Sequence, residues 1–270
     1  MPISRISKVF ENAKAENRAA LVLYTMAGDP TPELSANILE AVAEGGADII
    51  EIGFPFSDPM ADGISIQKAA IRALENKMTL KKTFDLVKDF RTKNQNTAIV
   101  LMGYLNPIES MGYTKFAQNC ADCGVDGVIA VDAPPEEDME LRTGLKANDV
   151  ALIRLATPTT DAHRLEKVVE DISGFVYYVS VAGVTGTKAI DTDAIKDKVG
   201  QVKDAAKLPV AIGFGIRTEE AAHNTAQLAD GIVIGAALVD TIFNAYKDGN
   251  DCVKIAKDFA TRMKNAAVKN

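Results

Sequence analysis

Two carboxylates stand out in the segment ADIIEIGFPFSDPMADG, residues 47 to 63. Glu51 is set among Ile49, Ile50, Ile52 and Gly53, and Asp62 follows eleven residues later, past a loop stiffened by Pro55 and Pro59. Burial in an apolar strand disfavours the charged form of an acid, so its pKa rises and it can give up and retrieve a proton near neutral pH. For Glu51 a second reading stands beside this one, a buried ion pair with a base on a neighbouring run such as Arg154. For Asp62 the second reading is a plain turn, because an acid followed by glycine often makes one.

Glycines form another constellation. GVTG at 183–186, GFGIRTEEAA from 213 and GAALVDTIF from 235 each lead from an apolar run toward a helical stretch. Gly183, Gly186, Gly213, Gly215 and Gly235 permit close backbone approach, and N–H groups at a helix N-terminus bind phosphate without a basic patch. Any single glycine pair also suits a tight turn; three such loops in succession favour a phosphate pocket. Cys120 and Cys123 form a C-x-x-C, but the chain has three cysteines and only His163 and His223 as histidines. With helical FAQNCADCG around them, two small residues on a helix is the favoured reading over a redox or metal pair.

The elements that must position these residues are legible in the pattern. Eight aliphatic or β-branched runs start near residues 19, 47, 98, 125, 150, 175, 208 and 230, separated by amphipathic stretches such as TPELSANILEAVAEGG and TLKKTFDLVKDFRTKNQ. Strands apolar on both faces and alternating with helices belong to a parallel sheet. Eight of them close into a (β/α)₈ TIM barrel, here with an extra N-terminal helix over residues 2 to 17. The 270 residues suit a single barrel domain, residues 1–270, since such barrels run to about 250. An open doubly wound sheet is the competitor, but no G-x-G-x-x-G follows any run. In a barrel the active site gathers at the C-terminal ends of the strands. If Ile50 and Ile52 face the helices, then Ile49, Glu51 and Gly53 point inward, with Glu51 near that rim.

Composition narrows the function classes. A net charge of −7 and a pI near 5.0 argue against a nucleic-acid groove or an anionic membrane surface. No apolar stretch approaches the ~18 residues of a membrane span. The N-terminal residues lack the h-region of a secretory signal, which reads as a cytosolic start.

The motifs then converge on a known family. EIGFPFSDPMADGISIQ, with GDP at 28–30, GYLNP at 103–107, VDAPPEE at 131–137, GVTG at 183–186 and GFGI at 213–216, resembles the tryptophan synthase α subunit over nearly the whole chain. The resemblance implies a lyase that cleaves indole-3-glycerol phosphate to indole and glyceraldehyde 3-phosphate in the cytoplasm. It assigns general acid–base work to Glu51 and the second catalytic carboxylate to Asp62. Tyr24, Met102, Tyr104, Ile129, Tyr177 and Thr185 fall where the family binds substrate or supports the acid, although Met102, Tyr104 and Ile129 suit plain barrel core equally well. Gly186, Gly213, Phe214, Gly215, Gly235 and Ala236 fall at the phosphate site. The resemblance implies no metal and no cofactor in this chain, with pyridoxal phosphate on a partner β subunit in an αββα heterotetramer. The loop of Pro55, Phe56, Ser57, Asp58 and Pro59 would face that partner.

One departure is visible. Ala236 stands where many relatives have serine, removing a hydroxyl from the phosphate site, and Arg217 just beyond GFGI is the candidate to replace that contact. Two further readings share the same residues: an activator of the β subunit with little lyase activity, and a stand-alone lyase. A different phosphate-binding barrel would not be expected to carry the P-F-S-D-P-x-A-D-G block.

Overall fold

The computed structural model describes residues 4–179, 192–213 and 215–270, residues 192–194 by backbone alone. The chain opens with α1 (Arg5–Ala15), whose N-cap Ser4 hydroxyl accepts from the Ser7 N–H. It continues through β1 (Ala20–Met26), α2 (Pro32–Glu44), β2 (Ile49–Gly53), α3 (Ile64–Glu75), α4 (Leu80–Lys93) and β3 (Ala98–Gly103). Next come α5 (Leu105–Met111), α6 (Tyr113–Cys123), β4 (Gly127–Ala130), α7 (Met139–Ala147), β5 (Ala151–Leu152), β6 (Leu155–Ala156) and α8 (Ala162–Val168). The last third holds β7 (Val176–Val179), α9 (Thr192–Ala206), β8 (Val210–Gly213), α10 (Glu219–Ala226), β9 (Gly231–Ile234), α11 (Ala236–Lys247) and α12 (Cys252–Ala266).

All pairings between these strands are parallel, in the order β5-β4-β3-β2-β1-β9-β8-β7-β6. Both ends of that order come from the fifth apolar run, which the sequence reads as one strand and the structure divides in two. The reason is ring closure. β5 pairs with β4 and β6 with β7, while Ile153 N–H donates to Val128 and Tyr177 N–H donates to Arg154 across the join. The run thus changes partner midway, and the sheet closes through it as a TIM barrel.

Alternation along the strands separates two cores. Val22, Ile49, Val100, Ile129, Ile153, Ala211 and Val233 point into the barrel, while Leu21, Leu23, Ile50, Ile52, Ile99 and Leu101 pack against the helices. α1 stoppers the N-terminal end: its buried Ile6, Val9, Phe10 and Ala13 join the interior cluster. Fully burying each of the three larger side chains stabilises the fold by roughly 1.5–3 kcal/mol.

At that same end, an acid opens three strands in a repeated arrangement. Asp48, Asp126 and Asp230 each accept from a neighbouring strand's N–H (Leu21, Ile99 and Val210) and donate their own N–H back to that residue's carbonyl. Each also holds cations: Arg18 and Lys264 on Asp48, Arg5 and Arg91 on Asp126, Lys203 on Asp230. These two-way clasps fix strand register at the start of each ladder. Among the described residues no helix is long and apolar enough to cross a membrane. Cys120 and Cys123 lie buried on α6, where burial pushes the Cys120 thiol well up and that of Cys123 to about 11.

Candidate active site

The site lies at the opposite end, where β1, β2 and β3 finish. β2 has the expected phase: Ile50 and Ile52 face the helices, and Ile49, in the interior core, shares the inward face with Glu51. Glu51 is 1% exposed and its Oε2 has no hydrogen-bond partner among the described residues. Arg154, the candidate ion-pair partner, is committed elsewhere. It donates to both Asp138 oxygens at 2.7 and 2.9 Å and to the carbonyls of Lys167, Val168 and Glu170. Among the described residues Glu51 therefore bears its desolvation without a cation, and burial, followed by the nearby Asp62 charge, pushes its pKa up to about 8.

Asp62 reaches the site through the loop after β2. Phe54 N–H donates to Met102 at 3.1 Å, extending the ladder, and the Phe54 ring fills the space a side chain at Gly103 would need. Phe56 then stacks obliquely on Tyr104, ring centroids 5.3 Å apart, and Ala61 N–H donates to the Tyr104 hydroxyl at 2.9 Å. Asp62 follows, its own N–H bonded to Pro59 and its carbonyl accepting from Gln67 Nε2 at 2.8 Å. Burial raises the Asp62 pKa to about 6, with a hydrogen bond to the Tyr104 hydroxyl opposing the rise. Burial thus raises both acids, Glu51 further than Asp62, and their surroundings drive the two apart.

Tyrosines close the site. The Tyr24 hydroxyl occupies the place a Gly53 side chain would take, and the Tyr177 hydroxyl does the same over Gly213, so both glycines serve close packing at the rim. Burial, with the charges of Asp62 and Glu51, raises the pKa of both phenols and keeps them neutral. Burial and the Asp62 charge lift Tyr104 to about 12. A crevice beside Tyr24 and Tyr104 is lined by these two and by Phe56, Pro59, Asp62 and Met102, together with Met26, Phe54, Ala70 and Val131, which sequence reasoning did not single out; Tyr177 does not line it. Ile129 is fully buried in the interior core and does not line this crevice. In the 55–59 loop, Pro55 is buried and Phe56 and Pro59 are half-buried over the crevice, while Ser57 and Asp58 are exposed.

Gly213 ends β8 and Gly215 follows it, and Gly235 and Ala236 follow its neighbour β9. Gly235 caps α11 without a side-chain hydrogen bond, and Leu238 and Val239 N–H groups turn back to its carbonyl. The Ala236 and Ala237 N–H groups belong to the first turn, which has no intrahelical acceptor, so an anion could take them. Arg217 is exposed and donates to Asp240 on α11 at 3.1 Å. Thr185, Gly186 and Phe214, and Gly183 with them, lie outside the described residues.

The whole chain was compared with known proteins. Residues 10–268 match the family model described as tryptophan synthase alpha chain. The tryptophan synthase alpha chain of Caulobacter vibrioides is 53% identical over 245 residues, 91% of this chain and 89% of that protein. That of Phenylobacterium zucineum is 52% identical over 251 residues, 93% of this chain and 91% of the relative. The crystal structure of tryptophan synthase subunit alpha from Legionella pneumophila superposes with a TM-score of 0.91 at 39% identity, covering 98% of each chain. A chain of tryptophan synthase from M. tuberculosis superposes at 0.88 with 31% identity, covering 99% of this chain and all of that one (100%). With its barrel, its two rim acids and these likenesses, the chain belongs to the tryptophan synthase alpha chain family.

Proposed function

We propose that Glu51 and Asp62 divide the work of cleaving indole-3-glycerol phosphate, the substrate on which a tryptophan synthase alpha chain acts as a lyase. The carbon–carbon bond between indole C3 and the glycerol chain breaks only when C3 becomes electron-poor and the adjacent hydroxyl can collapse to an aldehyde. Protonated Glu51 gives its proton to C3, placing positive charge on the indole nitrogen. Ionised Asp62 faces the indole N–H and stabilises that charge. The C3–C bond pair then returns to the ring, the glycerol carbon becomes the aldehyde carbon, and the Glu51 carboxylate takes up the hydroxyl proton. Protons balance, and Glu51 ends as it began.

The observation that carries this reading is the buried Glu51, with no cation beside it among the described residues, next to a more acidic Asp62. The family's pattern assigns Tyr24, Met102, Tyr104, Tyr177, Thr185 and Ile129 to the indole, Ile129 acting from the core behind the crevice, and assigns Gly186, Gly213, Phe214, Gly215, Gly235 and Ala236 to the phosphate, which the first-turn N–H groups of α11 can receive. The partner is a pyridoxal-phosphate-dependent β subunit in an αββα assembly in the cytoplasm, and the loop from Pro55 to Pro59 faces it.

The test is indole release from indole-3-glycerol phosphate with and without an added β subunit. Wild-type activity that rises with the partner and collapses in Glu51→Gln supports the reading; a complex that forms yet releases no indole under any condition makes the chain an activator instead.

A further inference from the structure

Arg72, in the last turn of α3, holds three elements together. Its guanidinium donates twice to the buried Asp29 carboxylate, Nε to Oδ1 at 2.6 Å and Nη2 to Oδ2 at 2.9 Å, and Asp29 lies in the turn after β1. The same guanidinium lies over Phe243 of α11, 3.7 Å from the ring centroid. A bidentate pair fixes the plane of the fork and stacking fixes its height, so α3 cannot slide along β1 or α11 without losing one contact. Asn76 reinforces this end with bonds to the Gly28 and Pro30 carbonyls at 3.0 and 2.8 Å. At the other end of α3, Gln67 donates to the Asp62 carbonyl, and the N-cap Gly63 makes no side-chain bond of its own.

Asp62 thus lies two residues ahead of α3 and is tied to it through Gln67, while α3 is clamped near its end to α11, the helix whose N-terminus faces the proposed phosphate seat. We propose that Arg72 is a positioning residue: by fixing α3 against the turn after β1 and against α11, it holds Asp62, just ahead of the N-cap of α3, where its carboxylate acts. The inference rests on the reading of Asp62 as an acting carboxylate. A lysine at this position keeps the charge and loses both the fork and the stack.

The experiment compares Arg72→Lys, Phe243→Leu, their double variant and Asp62→Asn in the full chain with its β subunit, by steady-state indole release across pH, with inorganic phosphate as a competing probe. Misplacing a catalytic group by about 1 Å costs up to about a hundredfold. Arg72→Lys should therefore lower kcat by about tenfold or more while KM and inhibition by phosphate stay within about twofold, and its acidic pH limb should move from the wild-type position. Phe243→Leu should lower kcat in the same way, and the double variant should fall no further than the worse single one, as expected for two parts of one clamp. Urea unfolding checks that each variant is folded. A folded Arg72→Lys with wild-type kcat and pH profile overturns the inference while leaving the lyase reading intact. A fully active Asp62→Asn overturns the role of Asp62 as an acting carboxylate, and the inference with it.

Discussion

The two ends of the barrel use the same kind of residue to opposite ends. Near the N-terminal ends of the strands, Asp48 accepts from Arg18, Lys264 and the Leu21 N–H, and Asp126 from Arg5, Arg91 and the Ile99 N–H. At the C-terminal ends, Glu51 has an oxygen with no partner among the described residues, and Asp62 leans on a phenol. Each lower carboxylate is saturated with donors and clamps strands; the upper ones carry the cost of burial in their own proton affinity. An acid deprived of partners is destabilising, and that same deprivation makes it able to exchange protons at neutral pH.

Substitutions on the two ends should therefore separate activity from stability. The largest effect is expected for Glu51→Gln, with kcat falling by roughly a thousandfold or more, since the proton donor is gone, while circular dichroism stays native. At the other end, Asp126→Asn should unfold at lower urea, losing about 3–5 kcal/mol because Arg91 is left buried without its carboxylate. Its residual folded fraction should keep the wild-type pH profile; a shifted profile would mean that the two ends are not independent.

Smaller effects refine the contrast through pH. Glu51 must hold a proton and Asp62 must not, so kcat should fall above about 8 and below about 6. Asp62→Asn should erase the acidic limb and keep the alkaline one. Stability should respond to Glu51 too. Its pKa rises from 4.5 to about 8 on folding, so the folded chain holds a proton that the unfolded chain has lost, and stability declines as pH rises through that window. Urea titrations of Glu51→Gln should have a flatter slope there, with a difference on the order of 3 kcal/mol between pH 4.5 and 7. The smallest expected change is for Arg217→Ala. We propose that Arg217 supplies the phosphate contact absent at Ala236, so KM should rise several-fold, and loss of the exposed Asp240 pair should alter stability by under about 1 kcal/mol. An unchanged KM would dismiss that role.

Much of this contrast was legible in the residues. The eight runs and the inward phase of Glu51 follow from period-two alternation, a local property that survives in any single strand. The division of the fifth run was not legible, because it arises where a ring of strands meets itself, and no local pattern at Ile153 or Arg154 records that. Whether Arg154 serves Glu51 or Asp138 was likewise undecided in the sequence: both acids are close in type, and only the packing of α7 and α8 around the guanidinium settles it. The Gly53 and Gly103 signals were present but had no meaning until Tyr24 and Phe54 were seen to fill their space. Arg72 escaped notice because its partners lie 43 residues upstream, at Asp29, and on α11.

α1 gives the barrel a direction. With Ile6 and Phe10 wedged among the strand starts and Val22, Ile49, Val100 and Ile129 filling the space above them, Glu51 looks out toward the C-terminal rim alone. The stopper at one end and the packed interior between them turn the two acids toward the rim, where a ligand would come from solvent.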